Sequence, residues 1–398
     1  MSVKTVPLPL PPKLDASRFE WFGREVKGVD PNDIEPESER FREIERLLYK
    51  HSILLFRNTI LTPEKQFALT KAFDPAAENF GHGNKKIEND KQNILNRILR
   101  GFPLVPQVQL IGNGTVYDYE GFPEMHLEHA SYHPWHKTHI SDEDEAAGYT
   151  RFARWHMDAA LYDLQPPRVT TLYGRIMPNG PKQTVRYDDG TGDELEIPLA
   201  ATAFTSGKVM FDLLPQELKS VAVRGRVKYA PHPYVWMSTA RARSTGLGIE
   251  TEGKEVPLDQ LPPWEESKIQ VTPMAWKNPV TGDLHFQVHP YCVAEIFIDP
   301  VPADVRRSDV LYPDGAHLTD LQEVRTLLYK MQRPAISPQC VYPHDWQAND
   351  LIIFHNRGVL HSVTGTLGPS QVRAYHQCNL AASDSPAGPD EGDLRRWA

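Results

Sequence analysis

Tyr149-Thr150-Arg151-Phe152-Ala153-Arg154-Trp155-His156-Met157-Asp158 is the stretch on which the reading of this chain turns. Residues i and i+2 of a strand face the same way, so an extended backbone here projects His156 and Asp158 together. Far downstream lies Phe354-His355-Asn356-Arg357-Gly358-Val359-Leu360-His361, and then Arg373. A histidine from that second segment would complete a set of two imidazoles and one carboxylate. His355, at the end of an apolar run, and His361 both qualify. The long interval between the two segments must hold several strands and an insertion.

Working outward, the flanking sequence reads as strands and turns with helices laid outside them. Pro36 to Lys50 carries Phe41, Ile44, Leu47 and Leu48 at helical spacing among charged residues. Ser52-Ile53-Leu54-Leu55-Phe56-Arg57 reads as a short buried strand. Leu61-Thr62-Pro63-Glu64 opens a second helix, with Thr62 as N-cap and Pro63 at its first position. Strand signals recur at Val169–Tyr173, Glu194–Ile197, His285–Val288, Asp350–Phe354 and Val372–Tyr375, and Thr319–Met331 reads as a helix. Asn278-Pro279-Val280-Thr281-Gly282 is a tight turn between strands. The acidic, glycine-rich Asp188–Glu194 reads as a solvated hairpin turn rather than a calcium loop. The predicted fold class is mainly β with flanking helices. Residues 1–20 are expected to form an extended arm, 21–380 a single domain with an insertion around 240–270, and 381–398 a flexible tail.

Composition narrows the function classes. The chain has 398 residues, 40% hydrophobic and 24% charged, with a net charge of −9, which argues against a nucleic-acid binder. No apolar run approaches the ~18 residues of a membrane span. The proline-rich N-terminus does not read as a signal peptide. Three widely spaced cysteines, Cys292, Cys340 and Cys378, suit a reducing compartment, so a cytoplasmic protein is expected. The expected partner is a small-molecule substrate, with neither nucleic acid nor membrane. No feature specifies an oligomeric state.

Two histidines and one carboxylate on one face of an octahedron suit Fe(II), and they leave the opposite face open for O2 and a chelating cosubstrate. An α-keto acid bound there needs a cation for its far carboxylate. Arg373 suits that task, because a guanidinium stays charged and pairs with a carboxylate through two parallel hydrogen bonds. Zinc could use the same ligands, but hydrolysis gives Arg373 no purpose. His126, His129, His133 and His136 lack metal-ligand spacing and read as a loop lining or covering the pocket.

These residues carry a family likeness. From about Glu25 to Asn379 the chain resembles the Fe(II)/2-oxoglutarate-dependent dioxygenases of the taurine and 2,4-dichlorophenoxyacetate dioxygenase family. The segments that carry it are Ser52–Asn58 with Leu61–Glu64, Trp155-His156-Met157-Asp158, Ala275–Gly282, and Asn356-Arg357 with His361. The resemblance favours His361 over His355 and implies a double-stranded β-helix (jelly-roll) core. It also implies Fe(II) held by His156, Asp158 and His361, 2-oxoglutarate held by Arg373 and Thr184, O2 as oxidant, and ascorbate as a supportive reductant. Within the family, Arg151–Tyr162, Gln183–Gly192 and Tyr229–Tyr234 are similar to a subgroup of fungal xanthine dioxygenases, which implies oxidation of xanthine to uric acid. Gln107, Glu128 and Asn379 are then the candidate substrate contacts. Glu128 stands where that subgroup has a lysine. A carboxylate suits an ammonium group better than a purine carbonyl, which sets oxidation of a small amino acid such as valine beside xanthine as the alternative.

Overall fold

The computed structural model describes residues 3–77, 99–302, 310–368 and 370–398. Its central strand is Asp350–His355, all of whose residues are buried. That strand pairs antiparallel with Ile53–Phe56 on one side and Val169–Ile176 on the other. The sheet extends outward through Arg24–Lys27 and Lys4–Pro7 at one edge. At the other it continues through Arg373–Asn379, Val108–Tyr119 and Arg100–Gly101, with Phe122–Leu127 also on Val108–Tyr119. The expected mainly β class with flanking helices is what the chain adopts.

Alternation along these strands builds a core on each face. Leu54, Phe56, Leu351 and Ile353 pack with Phe41, Ile44 and Leu48 of the helix Glu39–His51. Ile53, Leu55, Ile352 and Phe354 point the other way, onto Phe204 and Val359. Both N-terminal helices start as their sequences dictate: Ser38 accepts from Phe41 N, and Thr62 accepts from Lys65 N with Pro63 in the first turn. The first helix ends at Ser52, whose φ is 64°.

The inner face of the large sheet meets a three-stranded sheet, Tyr342–His344, Thr202–Ser206 and Val359–Val363. Phe204 contacts Phe354 edge-on with ring centroids 5.4 Å apart, and Trp346 contacts Tyr375 at 4.8 Å. Beyond it, a four-stranded sheet (Val271–Pro273, Gly225–Tyr229, Val293–Ile298, Ala316–Leu318) packs with the helices Gln216–Arg224 and Leu321–Gln332 into the largest apolar cluster. The three cysteines are buried and unpaired by disulfides. Among the described residues no helix is long and apolar enough to cross a membrane.

The N-terminal arm is extended at Lys4–Pro7, which forms a strand on Arg24–Lys27, and Leu8, Leu14 and Phe19 are buried. Those apolar side chains, spaced between the prolines, anchor it. The expectation of a flexible tail needs correction, because Glu391–Trp397 is a helix. Asp390 and Asp393 cap it reciprocally, Lys277 bonds both carboxylates, and Trp397 packs on Phe211 with centroids 5.7 Å apart.

Candidate metal centre

His361 lies within the strand Val359–Val363, held in register by Thr202–Ser206. His156 lies outside any regular strand, contrary to expectation, because only a single bridge forms there. His156 N donates to His361 O at 2.9 Å and His361 N donates to His156 O at 2.8 Å. That reciprocal pair puts the two imidazoles side by side, ring centroids 4.2 Å apart. Asp158 Oδ1 sits 3.9 Å from His156 Nε2 and 3.8 Å from His361 Nε2. Two metal–ligand bonds of ~2.1 Å span up to ~4.2 Å, so Asp158 can share one ion with either imidazole, and all three ligand atoms lie within 4.8 Å of one another.

The surroundings fix each ligand. His156 Nδ1 donates to Arg154 O at 2.8 Å, which leaves Nε2 with its lone pair facing Asp158. Burial, and next the neighbouring His361, hold His156 well below its ordinary value and keep it neutral. Asp158 Oδ2 accepts from Thr170 Oγ1 at 2.8 Å and Gln377 Nε2 at 3.0 Å, turning Oδ1 to the imidazoles. Asn356 clamps the same residue through its backbone. Its Oδ1 accepts from Asp158 N at 2.9 Å and its Nδ2 donates to Asp158 O at 2.7 Å. Arg357 donates to Pro166 O and pairs with Asp384, so the Asn-Arg pair of the second motif acts as scaffold. The donor set, with both imidazoles presented through Nε2 and one carboxylate oxygen aimed between them, fits a divalent metal with open positions. Among the described residues this is the one cluster of that kind.

His156, Asp158, His361 and Arg373 line one cavity, together with Arg154, Thr202 and Gln377. Arg373 comes off the strand Arg373–Asn379 opposite Gly112–Asn113. Gly112 has no room for a side chain, since a Cβ would lie 1.8 Å from the Arg373 carbonyl oxygen. The guanidinium stacks 4.3 Å from the Tyr375 ring centroid and donates through Nη1 to His129 Nδ1 at 3.4 Å. His129 Nε2 in turn donates to Gly365 O at 2.9 Å. Burial, and next the charge of Arg373, push His129 down to about 3, so it stays a neutral acceptor. Arg373 Nε is buried without a hydrogen-bond partner, and among the described residues no carboxylate pairs with this cation. It is a site ready for an anion.

Several expected residues lie elsewhere. Thr184 sits on Gln183–Arg186, between Glu194–Ile197 and Tyr149–Thr150, and is not among the cavity-lining residues. The hairpin from Gln183 to Ile197 carries it off the cavity. The threonine that lines the cavity is Thr202, whose Oγ1 accepts from Trp346 Nε1 at 3.1 Å and keeps its own proton to donate. Glu128 is exposed and outside the lining, which removes the reason for an ammonium-bearing substrate. Gln107 is half-buried and also outside it. Asn379 is buried on the strand that supplies Gln377 and Arg373, with Nδ2 unpartnered. His355 is buried against Tyr49 and His285, away from the ligands. The 126–136 loop lines the cavity through Ala130 and Trp135, while His136 bonds Ala153 O and His133 pairs with Glu145. In the acidic loop, Arg333 holds Asp189 at 2.6 Å and Asp193 at 2.7 Å, which makes it an ion-paired hairpin.

With the geometry in place, comparison with known proteins gives the class. The chain belongs to the taurine catabolism dioxygenase TauD, TfdA family, whose model matches residues 8–378. It is therefore a dioxygenase-family enzyme. More particularly, it is 47% identical over 364 residues to the alpha-ketoglutarate-dependent xanthine dioxygenase xanA of Emericella nidulans, covering 91% of this chain and 93% of that protein. It is 45% identical over 394 residues to the alpha-ketoglutarate-dependent xanthine dioxygenase xan1 of Schizosaccharomyces pombe, covering 98% and 91%. Among solved structures, a putative alpha-ketoglutarate-dependent taurine dioxygenase from Burkholderia xenovorans superposes with a TM-score of 0.54 at 17% identity, covering 98% of this chain and 96% of that one. That likeness speaks to the fold alone.

Proposed function

We propose that this chain is an Fe(II)- and 2-oxoglutarate-dependent dioxygenase that oxidises xanthine to uric acid. The observation that carries the reading is the convergence of His156, Asp158, His361 and Arg373 on one cavity. The similarity to two xanthine dioxygenases supplies the substrate. We place this site in a single domain, residues 21–380 with an insertion around 240–270, built on a double-stranded β-helix core. The facing of the large sheet and the Thr202–Ser206 sheet supports that core.

A ferrous ion bound by the triad supplies activation of O2 coupled to decarboxylation of 2-oxoglutarate. The residues do the rest. Arg373, steadied by His129 and Tyr375, binds the far carboxylate of 2-oxoglutarate, and Thr202 donates to it. Thr170, Gln377 and Asn356 hold Asp158 in position. One oxygen atom of O2 enters the purine and the other enters succinate, with CO2 released. Incubation with Fe(II), ascorbate, 2-oxoglutarate and xanthine should yield succinate and urate one for one. Succinate release stimulated by valine and not by xanthine would overturn the assignment.

A further inference from the structure

The cavity holds a second guanidinium that the chemistry above does not use. Arg154 precedes His156 by two residues, and its backbone is pinned at both ends: its N donates to Ser362 Oγ at 3.1 Å and its O accepts from His156 Nδ1 at 2.8 Å. Its side chain lines the same cavity as the three ligands. The Cζ atom lies 5.4 Å from the Trp135 ring centroid, 5.6 Å from that of Tyr234 and 6.0 Å from that of Tyr291. Tyr234 is itself tied down by its hydroxyl, which donates to Ala159 O at 2.7 Å, and Tyr291 by its bond to Gly246 O at 2.8 Å. Arg154 Nη1 is buried and has no hydrogen-bond partner. Among the described residues no carboxylate forms an ion pair with Arg154 at either end of its fork.

A desolvated guanidinium N–H without an acceptor is costly, and native proteins seldom leave one so. The aromatic rings hold the cation in place by cation–π attraction but give its N–H edge nothing to bond. The acceptor has to come from whatever fills the cavity. 2-Oxoglutarate is one occupant, but its far carboxylate has Arg373. Asp158 turns one oxygen to Thr170 and Gln377 and the other to the imidazoles. The cavity therefore offers two guanidiniums and no spare carboxylate, which repels an ammonium group.

We propose that Arg154 is a specificity-determining residue that binds the substrate through ring carbonyl oxygens or delocalised negative charge. The ligand class is a planar, oxygen-bearing or anionic heterocycle such as an oxopurine. This rests on the dioxygenase reading above and deepens it. Arg154 thereby links recognition to reaction, because the backbone that carries the recognising cation also fixes the His156 tautomer.

The test uses the full-length enzyme with Fe(II). Anaerobic titration of xanthine into the Fe(II)/2-oxoglutarate complex gives binding, and urate and succinate release gives turnover. Arg154→Met should weaken xanthine binding about 10- to 100-fold, the loss expected when one partner of a charged hydrogen bond is truncated, and leave the KM for 2-oxoglutarate within about twofold. Arg154→Lys, which keeps the charge but not the fork, should recover part of that loss. If the methionine variant does not fold, the lysine variant alone should bind xanthine several-fold more weakly with an unchanged 2-oxoglutarate KM. Wild-type xanthine affinity in whichever variant folds overturns the proposal, as does a rise in the KM for 2-oxoglutarate alone. If the wild type binds xanthine without turning it over, and Arg154→Met abolishes that binding, the proposed reaction fails while the role of Arg154 stands. A wild type that does not bind xanthine overturns both.

Discussion

Replacing Thr170 by valine removes one hydroxyl and little else. Thr170 is fully buried, so water cannot take its place. Its backbone pairing with Phe354 and Asn379 does not depend on the side chain. The lost bond is the 2.8 Å donation to Asp158 Oδ2, one of two that turn the carboxylate toward the imidazoles. A hydrogen bond to a charged acceptor contributes ~1.5–3 kcal/mol. With Gln377 still donating, the lower figure applies, or about tenfold weaker metal binding, within the ~10–100-fold range seen for partners that orient ligands. Removing Gln377 as well should bring the loss to about a hundredfold. The assay is anaerobic titration with Fe(II), repeated with Mn(II), on wild type, Thr170→Val, Gln377→Leu and the double variant. Wild-type affinity in Thr170→Val, with urea stability unchanged, would refute the claim that this clamp aims Asp158 Oδ1 at the metal.

Three further outcomes follow from the same geometry. Thr202→Val should raise the KM for 2-oxoglutarate about tenfold or more, the value of one charged hydrogen bond, while Thr184→Val should leave it unchanged; the opposite pattern would restore Thr184 to the cosubstrate site. His129→Leu, which takes the acceptor from Arg373 Nη1, should also raise the KM for 2-oxoglutarate, by about tenfold, with little effect on the KM for xanthine; a selective effect on xanthine would contradict this positioning role. Burial holds His51 at about 4 and His129, His136 and His376 at about 3, against ~6.5 in the unfolded chain. These groups are neutral in the fold, so the unfolded chain gains protons first as the pH falls. Stability should be full above about 6.5 and decline from there toward 4; urea unfolding at pH 7.5, 6.5 and 5.5 that showed no decline would count against it.

The sequence was most legible where chemistry and local spacing coincide. His156 and Asp158 sit two residues apart, and the single bridge that holds His156 to His361 is enough to bring both to one site. Arg373 lies on the strand that follows that of His361 in sequence; the two strands belong to different sheets, yet both side chains line the cavity. Thr62 and Pro63 announce their helix by local bonds alone. Thr184 falls outside the cavity lining because it sits on the Gln183–Ile197 hairpin, and the family likeness that named it carries no information on where that hairpin packs. Arg154 was given no role from the sequence, because Trp135, Tyr234 and Tyr291, which close around it, are distant in sequence. The C-terminal helix was missed through composition, although Asp390 and Asp393 at cap spacing were a readable signal.

In the proposed reaction, activity requires one ferrous ion held by His156, Asp158 and His361, and the most direct test counts that ion. Anaerobic Fe(II) titration should give one bound equivalent for wild type and for His355→Ala, and none at the same concentration for His361→Ala. Retention of the ion in His361→Ala, or its loss in His355→Ala, would contradict the assignment of the metal centre.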